Sequence, residues 1–176
     1  VLMFAVYTFL FTVVLRVRIG TNDAEDYTIY LFAGLAPWLL TQDVLQRCSS
    51  VLLANVSIVK KVMFPVEAIV AKTLGASLIV QSVLMVLVLA TTVWVRGRIP
   101  WTFALLPLLF MTHLALLWGL ALLLSAITPY FRDVVELVRV FVTVNMFLMP
   151  VIYQPNMVPG LLRYIVVANP FSHLIW

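Results

Sequence analysis

The sequence predicts an all-α integral membrane protein, a polytopic bundle of spanning helices, and three observations carry that prediction. Hydrophobic residues make up 64% of the chain and charged ones 10%, with a mean hydropathy of +1.13, far outside the usual composition of water-soluble domains. Several apolar runs approach or exceed the roughly 20 residues needed to cross a bilayer as a helix. Strict apolar–polar alternation, which a membrane barrel needs, is absent. The whole of residues 1–176 reads as a single transmembrane domain.

Val1 to Leu15 is apolar but short for a span, which fits a first helix whose beginning is cut away; Arg16 and Arg18 end it. Because the chain starts and stops inside apolar runs, it reads as a piece lacking both natural ends. Gly20 to Tyr27, with Asp23, Glu25 and Asp26, reads as a solvated loop or a short surface helix; no histidine accompanies these carboxylates as a fourth metal ligand. Thr28 to Thr41 is apolar and begins a second span running toward Ala54. Gln42, Asp43, Gln46, Arg47 and Ser50 then recur at helical spacing as one polar stripe. Asp43 and Arg47 are spaced for an i,i+4 ion pair, which leaves a cavity or interface lining as the alternative use of the stripe. Pro37 is placed to kink this helix and Gly34 to admit a close neighbour. Cys48, the one cysteine, excludes an intrachain disulfide and reads as a small helix residue.

Asn55 to Glu67, NVSIVKKVMFPVE, interrupts the apolar pattern. Lys60 and Lys61 would each cost roughly 2.5–3.5 kcal/mol at the centre of a spanning helix, so the segment belongs at a membrane surface. Ile58, Val59, Val62 and Met63 share one helical face, with both lysines off it. Pro65 stops that helix, pushes Phe64 out of the α region and suits the first position of the next helix, where Glu67 complements the dipole.

Ala68 to Val95 is the clearest span, with Lys72 near enough to the surface to snorkel and Gln81 as its strongly polar interior group. Arg96 to Pro100 makes a tight turn into a span over Trp101 to Ile127, antiparallel to its predecessor and punctuated by Pro107, His113 and Gly119. His113 suits a hydrogen bond to a neighbouring helix better than a proton relay. Thr128 to Arg139 is the second charged interruption, where Arg132 with Glu136 and Glu136 with Arg139 stand at pairing distance along a helix. The apolar run from Val140 to Tyr153 follows, bent at Pro150. Gln154 to Asn169 is too broken by Pro155 and Pro159 to span and reads as a re-entrant or interfacial hairpin. Asn169 and Pro170 start a last helix.

The ordered set LFAGLAPW (Leu31 to Trp38), VKKVxFPxE within Asn55 to Glu67, YFRD (Tyr130 to Asp133), PVIY (Pro150 to Tyr153) and NP (Asn169, Pro170) resembles the permeases of bacterial ABC exporters for polysaccharides and polyol-phosphate polymers. The resemblance covers Leu31 to Pro170 and implies six spanning helices per full-length subunit, with short helices before the last. It also implies an inner-membrane homodimer working with a pair of ABC ATPase subunits on a lipid-linked glycan or polyol-phosphate chain. ATP would be used by the partner, with no cofactor bound by this chain. On the same basis Asn55 to Glu67 lies in the cytoplasm and carries a coupling helix, so Ile58, Val59, Lys60, Lys61, Val62, Phe64, Pro65 and Glu67 are candidate ATPase contacts. Tyr130, Arg132 and Asp133 join them from the second corner. Tyr7, Trp38, Trp118 and Tyr153 are candidate path liners, against the ordinary use of such rings in packing and at membrane interfaces.

Basic residues do not decide orientation. With both charged interruptions assigned to the cytoplasm, Arg47, Lys60, Lys61, Lys72, Arg132 and Arg139 fall inside and Arg16, Arg18, Arg96, Arg98 and Arg163 outside, so the split of the 11 is nearly even. No GxxxxGK[ST] loop is present, which excludes nucleotide hydrolysis of the P-loop kind by this chain, and no nucleophile elbow or HExxH suggests another enzyme. The scattered cations give no nucleic-acid footprint. An exporter of small hydrophobic drugs or lipids, a scaffold without a transport path and a membrane glycosyltransferase are the alternatives; the last needs an acidic catalytic pair, whereas the acids here are mostly taken up by helix pairs and a loop.

Overall fold

A computed structural model describes residues 24–56, 65–97, 101–148 and 164. The expectations for Val1 to Asp23, Ser57 to Phe64, Arg98 to Pro100 and everything after Leu148 except Tyr164 lie outside the described residues, and so do the expected first and last helices and the re-entrant hairpin. Within the described residues the order is α1 (Ala24–Ala54), α2 (Val66–Arg96), a 3-10 turn (Trp101–Leu105), α3 (Leu106–Ile127) and α4 (Val134–Leu148). Among the described residues, two helices are long and apolar enough to cross a membrane, Val66–Trp94 and, with the last residues of the 3-10 turn, Phe103–Ile127. Only 28% and 22% of their most apolar windows are buried within the chain, so most of that apolar surface faces outward, as it does in lipid rather than in the core of a soluble domain.

The chain forms two compact units, and α1 and α2 each contribute to both. In the first unit (Val1–Trp38, Val80–Phe103, Met146–Trp176), α1 buries Leu31, Phe32, Leu35, Ala36 and Trp38, while α2 buries Gln81, Leu84, Val88 and Thr92 at steps of three or four residues. Gly34 is buried as well, as expected of a residue that admits a close neighbour.

In the second unit (Leu39–Ile79, Ala104–Asn145) one apolar cluster joins three helices: Leu40, Val44, Cys48 and Val51 of α1, Ile69, Val70 and Leu74 of α2, Leu117 and Ala121 of α3. Phe110, Leu114, Trp118 and Leu122 pack against it partly buried. In a bilayer such contacts hold through close packing and hydrogen bonds, because lipid tails are as apolar as leucine and burial alone contributes little. α4 buries Val138, Val142 and Asn145, one face of a helix, and exposes Leu137, Val140, Phe141 and Val144 on the other.

Three sequence expectations need correction. Ala24 to Tyr27 are the first turn of α1 rather than a separate loop or surface helix, because the helical signal continues into the apolar run without a breaker. The span expected from Trp101 opens as a 3-10 turn, and the α-helix starts only at Leu106, with Pro107 in its first turn, where a missing N–H costs nothing. Arg132 does not pair with Glu136: it stands before α4 begins at Val134, out of helical register, and the Glu136 carboxylate instead meets Arg139 Nη1 at 3.0 Å through both oxygens. α2 closes at Gly97, at φ +64°, a conformation that favours glycine, with its N–H donated to Val93 at 2.9 Å; the rest of the expected turn, Arg98 to Pro100, lies outside the described residues.

A polar corner and the residues that hold it

The second unit carries the candidate coupling surface, and polar bonds between helices fix its frame. The Ser77 hydroxyl on α2 donates to Asp43 Oδ2 on α1 at 2.6 Å, while Arg47 Nε donates to Oδ1 of the same carboxylate at 2.8 Å. The i,i+4 ion pair is thus present, and a second helix is tied into it. Thr41 Oγ1 lies 2.9 Å from His113 Nε2, both groups buried, which binds α1 to α3 and gives the intramembrane histidine the interhelical partner its position calls for. Neither Ser77 nor Thr41 was singled out in the sequence. Their partners stand 34 and 72 residues away, and no local pattern signals a contact at that range.

α2 reverses the direction of α1 after the short link, and α3 reverses it again, so α1 and α3 run parallel. From the Thr41–His113 bond, Ala54 and Ile127 each lie about 20 Å further along their helices at 1.5 Å per residue. The end of α1, the start of α2 and the α3–α4 corner therefore share one side. At the first of these ends, the Asn55 side chain caps by donating to the Val51 carbonyl at 2.8 Å. Pro65 precedes α2, its carbonyl accepting from Ala68 at 3.0 Å, and Glu67 stands exposed in the first turn.

The α3–α4 corner is built from main-chain bonds. Thr128 closes α3 on the Leu124 carbonyl through both its N–H, at 3.0 Å, and its hydroxyl, at 2.7 Å. Tyr130 and Phe131 donate to Ile127, Val134 to Phe131, and Val135 to Arg132; Leu137 donates to Asp133 at 3.0 Å, which makes Asp133 the residue that opens α4. The result is a braced loop with its side chains turned out: Tyr130 is 83% and Phe131 67% exposed, and Arg132 and Asp133 are exposed with them. Phe131 was not among the sequence candidates, although its place inside YFRD was the available signal.

The structure thus brings Pro65, Glu67, Tyr130, Arg132 and Asp133 to one side of the second unit. Ile58, Val59, Lys60, Lys61, Val62 and Phe64 lie outside the described residues, as do Tyr7 and Tyr153. Trp38 is buried in the first unit, and Trp118 is half-buried against the core of the second.

Long apolar helices with outward-facing hydrocarbon, tied by a few buried polar bonds and ending in an exposed aromatic and charged corner, define a helical membrane protein. A family model for the ABC-2 type transporter matches residues 1–175, and the chain belongs to that family. Among curated proteins it is similar to two O-antigen export system permease proteins RfbA of Klebsiella pneumoniae. One is 26% identical over 178 residues, covering 99% of this chain and 66% of the relative; the other is 25% identical over 177 residues with the same coverage. The protein of the same name from Myxococcus xanthus is 29% identical over 151 residues, covering 84% of this chain and 55% of the relative. The chain therefore spans just under two thirds of the Klebsiella relatives' length and about half of the Myxococcus one.

Proposed function

We propose that this chain is the membrane-spanning part of an ATP-driven exporter that moves a lipid-linked polysaccharide outward across the bacterial inner membrane. Family membership over residues 1–175, together with relatives named for O-antigen export, is the observation that carries this reading. In this account the subunit works as a homodimer, and a separate pair of ABC ATPase subunits hydrolyses the ATP. The chain itself holds no cofactor. A full-length subunit has six spanning helices, with a re-entrant element before the last, and the Asn55 to Glu67 side faces the cytoplasm.

The mechanism follows from the frame. ATP-driven closure of the ATPases displaces the surface they grip, formed by Asn55 to Glu67 and by Tyr130 to Asp133. A loose corner would absorb that displacement. The one between α3 and α4 is braced by successive main-chain bonds, and behind it Ser77–Asp43 and Thr41–His113 tie α1 to both α2 and α3. Movement at the corner is therefore passed to three helices together.

The exposed rings of Tyr130 and Phe131 supply apolar area for the grip, and Arg132, Asp133, Lys60 and Lys61 supply charge at its rim. Co-purification with a co-expressed ABC ATPase subunit tests the reading. Tyr130→Ala with Phe131→Ala, and separately Lys60→Ala with Lys61→Ala, should reduce the recovered ATPase, and deleting the gene should make lipid-linked polymer accumulate inside the cell. Undiminished ATPase recovery in both variants, with export intact in the deletion strain, would refute it.

A further inference from the structure

Packing accounts for Asp43, which α2 holds through Ser77, but not for the rest of the polar stripe of α1. Gln42, Asp43, Gln46, Arg47 and Ser50 recur along one side of the helix, whereas Leu40, Val44, Cys48 and Val51 occupy the side that enters the core. Gln46 and Arg47 are exposed on the chain, and Gln42, Asp43 and Ser50 are half-buried.

Depth makes this exposure informative. The Ser77–Asp43 bond sets the level of the stripe against α2, whose span runs from Val66 to Trp94. Ser77 lies about 5 Å from the middle of that span at 1.5 Å per residue. A hydrocarbon layer of about 30 Å extends some 15 Å either side of the middle. Arg47, one turn beyond Asp43, is still inside it. An arginine facing lipid at such a depth stretches toward the nearer surface, here the Ala54 end of α1. Arg47 does the opposite: its Nε reaches back to Asp43 at 2.8 Å, one turn deeper. Charged groups within a span pair with one another in this way, and they almost always face the bundle interior or a water-filled cavity.

We propose that this stripe is a wall of the water-filled path taken by the exported chain, and that it selects an uncharged, polyhydroxylated chain over a polyanionic one. The inference rests on the exporter reading and narrows its substrate class. Asp43 and Arg47 cancel each other's charge, so the stripe offers no unpaired cation to a run of phosphates. What it offers is the two amides of Gln42 and Gln46, beside the oxygen of Ser50, whose hydroxyl donates to the carbonyls of Gln46 and Arg47 within the helix. Each amide both donates and accepts, as the hydroxyls of a sugar do.

The test uses the protein with its ATPase in proteoliposomes, with Cys48→Ala removing the native thiol and Gln46→Cys placing one on the stripe. A charged, membrane-impermeant thiosulfonate should label Gln46→Cys, whereas Val83→Cys, on an exposed apolar face of α2, should react only with a lipid-soluble maleimide. A neutral oligosaccharide on a polyprenyl diphosphate should slow the labelling of Gln46→Cys, and the same lipid bearing a polyol-phosphate chain should not. Gln46→Leu should lower transport of the neutral-chain probe about tenfold, the scale of one lost polar contact. Labelling by maleimide alone would put the stripe in lipid, and labelling by neither reagent would put a second copy over it; both overturn the inference and leave the exporter reading standing. Equal protection by the two chains overturns the selectivity. Transport of neither probe by the unsubstituted protein takes down both the inference and the reading beneath it.

Discussion

Ser77→Ala is the sharpest probe of the frame behind the corner. It deletes one hydroxyl and leaves the Asp43–Arg47 pair in place. At 2.6 Å the Ser77–Asp43 bond has the length of a charge-assisted O–H to carboxylate bond. Such bonds contribute about 1.5–3 kcal/mol in soluble proteins. Hydrogen bonds between helices in a membrane protein average only about 0.6 kcal/mol with a maximum near 1.7, because the unfolded helices also find partners in the bilayer. Asp43 is half-open and keeps Arg47, which argues for the middle of that range, about 1 kcal/mol. For a domain of this size that corresponds to a fall in Tm of about 2–4 °C, readable by fluorescence-monitored unfolding in detergent micelles. Asp43→Asn retains one acceptor oxygen and should cost about half as much. Asp43→Ala, which removes the acceptor outright, completes a double-mutant cycle with Ser77→Ala; a coupling below about 0.3 kcal/mol would show that the bond does not hold α1 to α2.

Thr41→Val removes the partner of buried His113 and should lower stability by about 1–3 kcal/mol, while adding His113→Phe should recover part of the loss, since two apolar groups leave nothing unsatisfied; no recovery would argue against the bond. Gly97→Ala should cost about 1 kcal/mol from backbone conformation alone, because no atom lies within 4 Å of the added methyl; an unchanged Tm would contradict the left-handed turn. Gln81 is 1% exposed, and among the described residues neither atom of its amide has a hydrogen-bond partner. Gln81→Leu should therefore raise Tm, by an amount corresponding to about 1 kcal/mol or more, and a fall would mean that the amide is satisfied after all.

What was legible in the sequence was whatever a local rule governs. The apolar run of α2, the glycine turn at Gly97, Pro65 ahead of a helix and the Asp43–Arg47 and Glu136–Arg139 pairs all follow from spacing within one turn or from a single residue's backbone limits. The Arg132–Glu136 pair failed for the same reason the others succeeded: helical spacing means nothing until the helix has begun, and α4 begins at Val134. The interhelical ties were invisible because Ser77 and Thr41 are ordinary small polar residues until the chain brings a carboxylate and an imidazole to them. Tyr130, Arg132 and Asp133 were nominated through resemblance, whereas the main-chain bonds that brace the loop presenting them needed coordinates.

The shape of the Thr128 to Asp133 loop owes little to the side chains it displays. Its curvature is written in amide and carbonyl groups that every residue except proline possesses. The rings and charges at its tip can accordingly be exchanged without redrawing the scaffold beneath them. With the coupling role proposed above, a lineage could trade one motor for another by altering a handful of exposed letters, and an engineer could transplant the tip of a relative with the same economy.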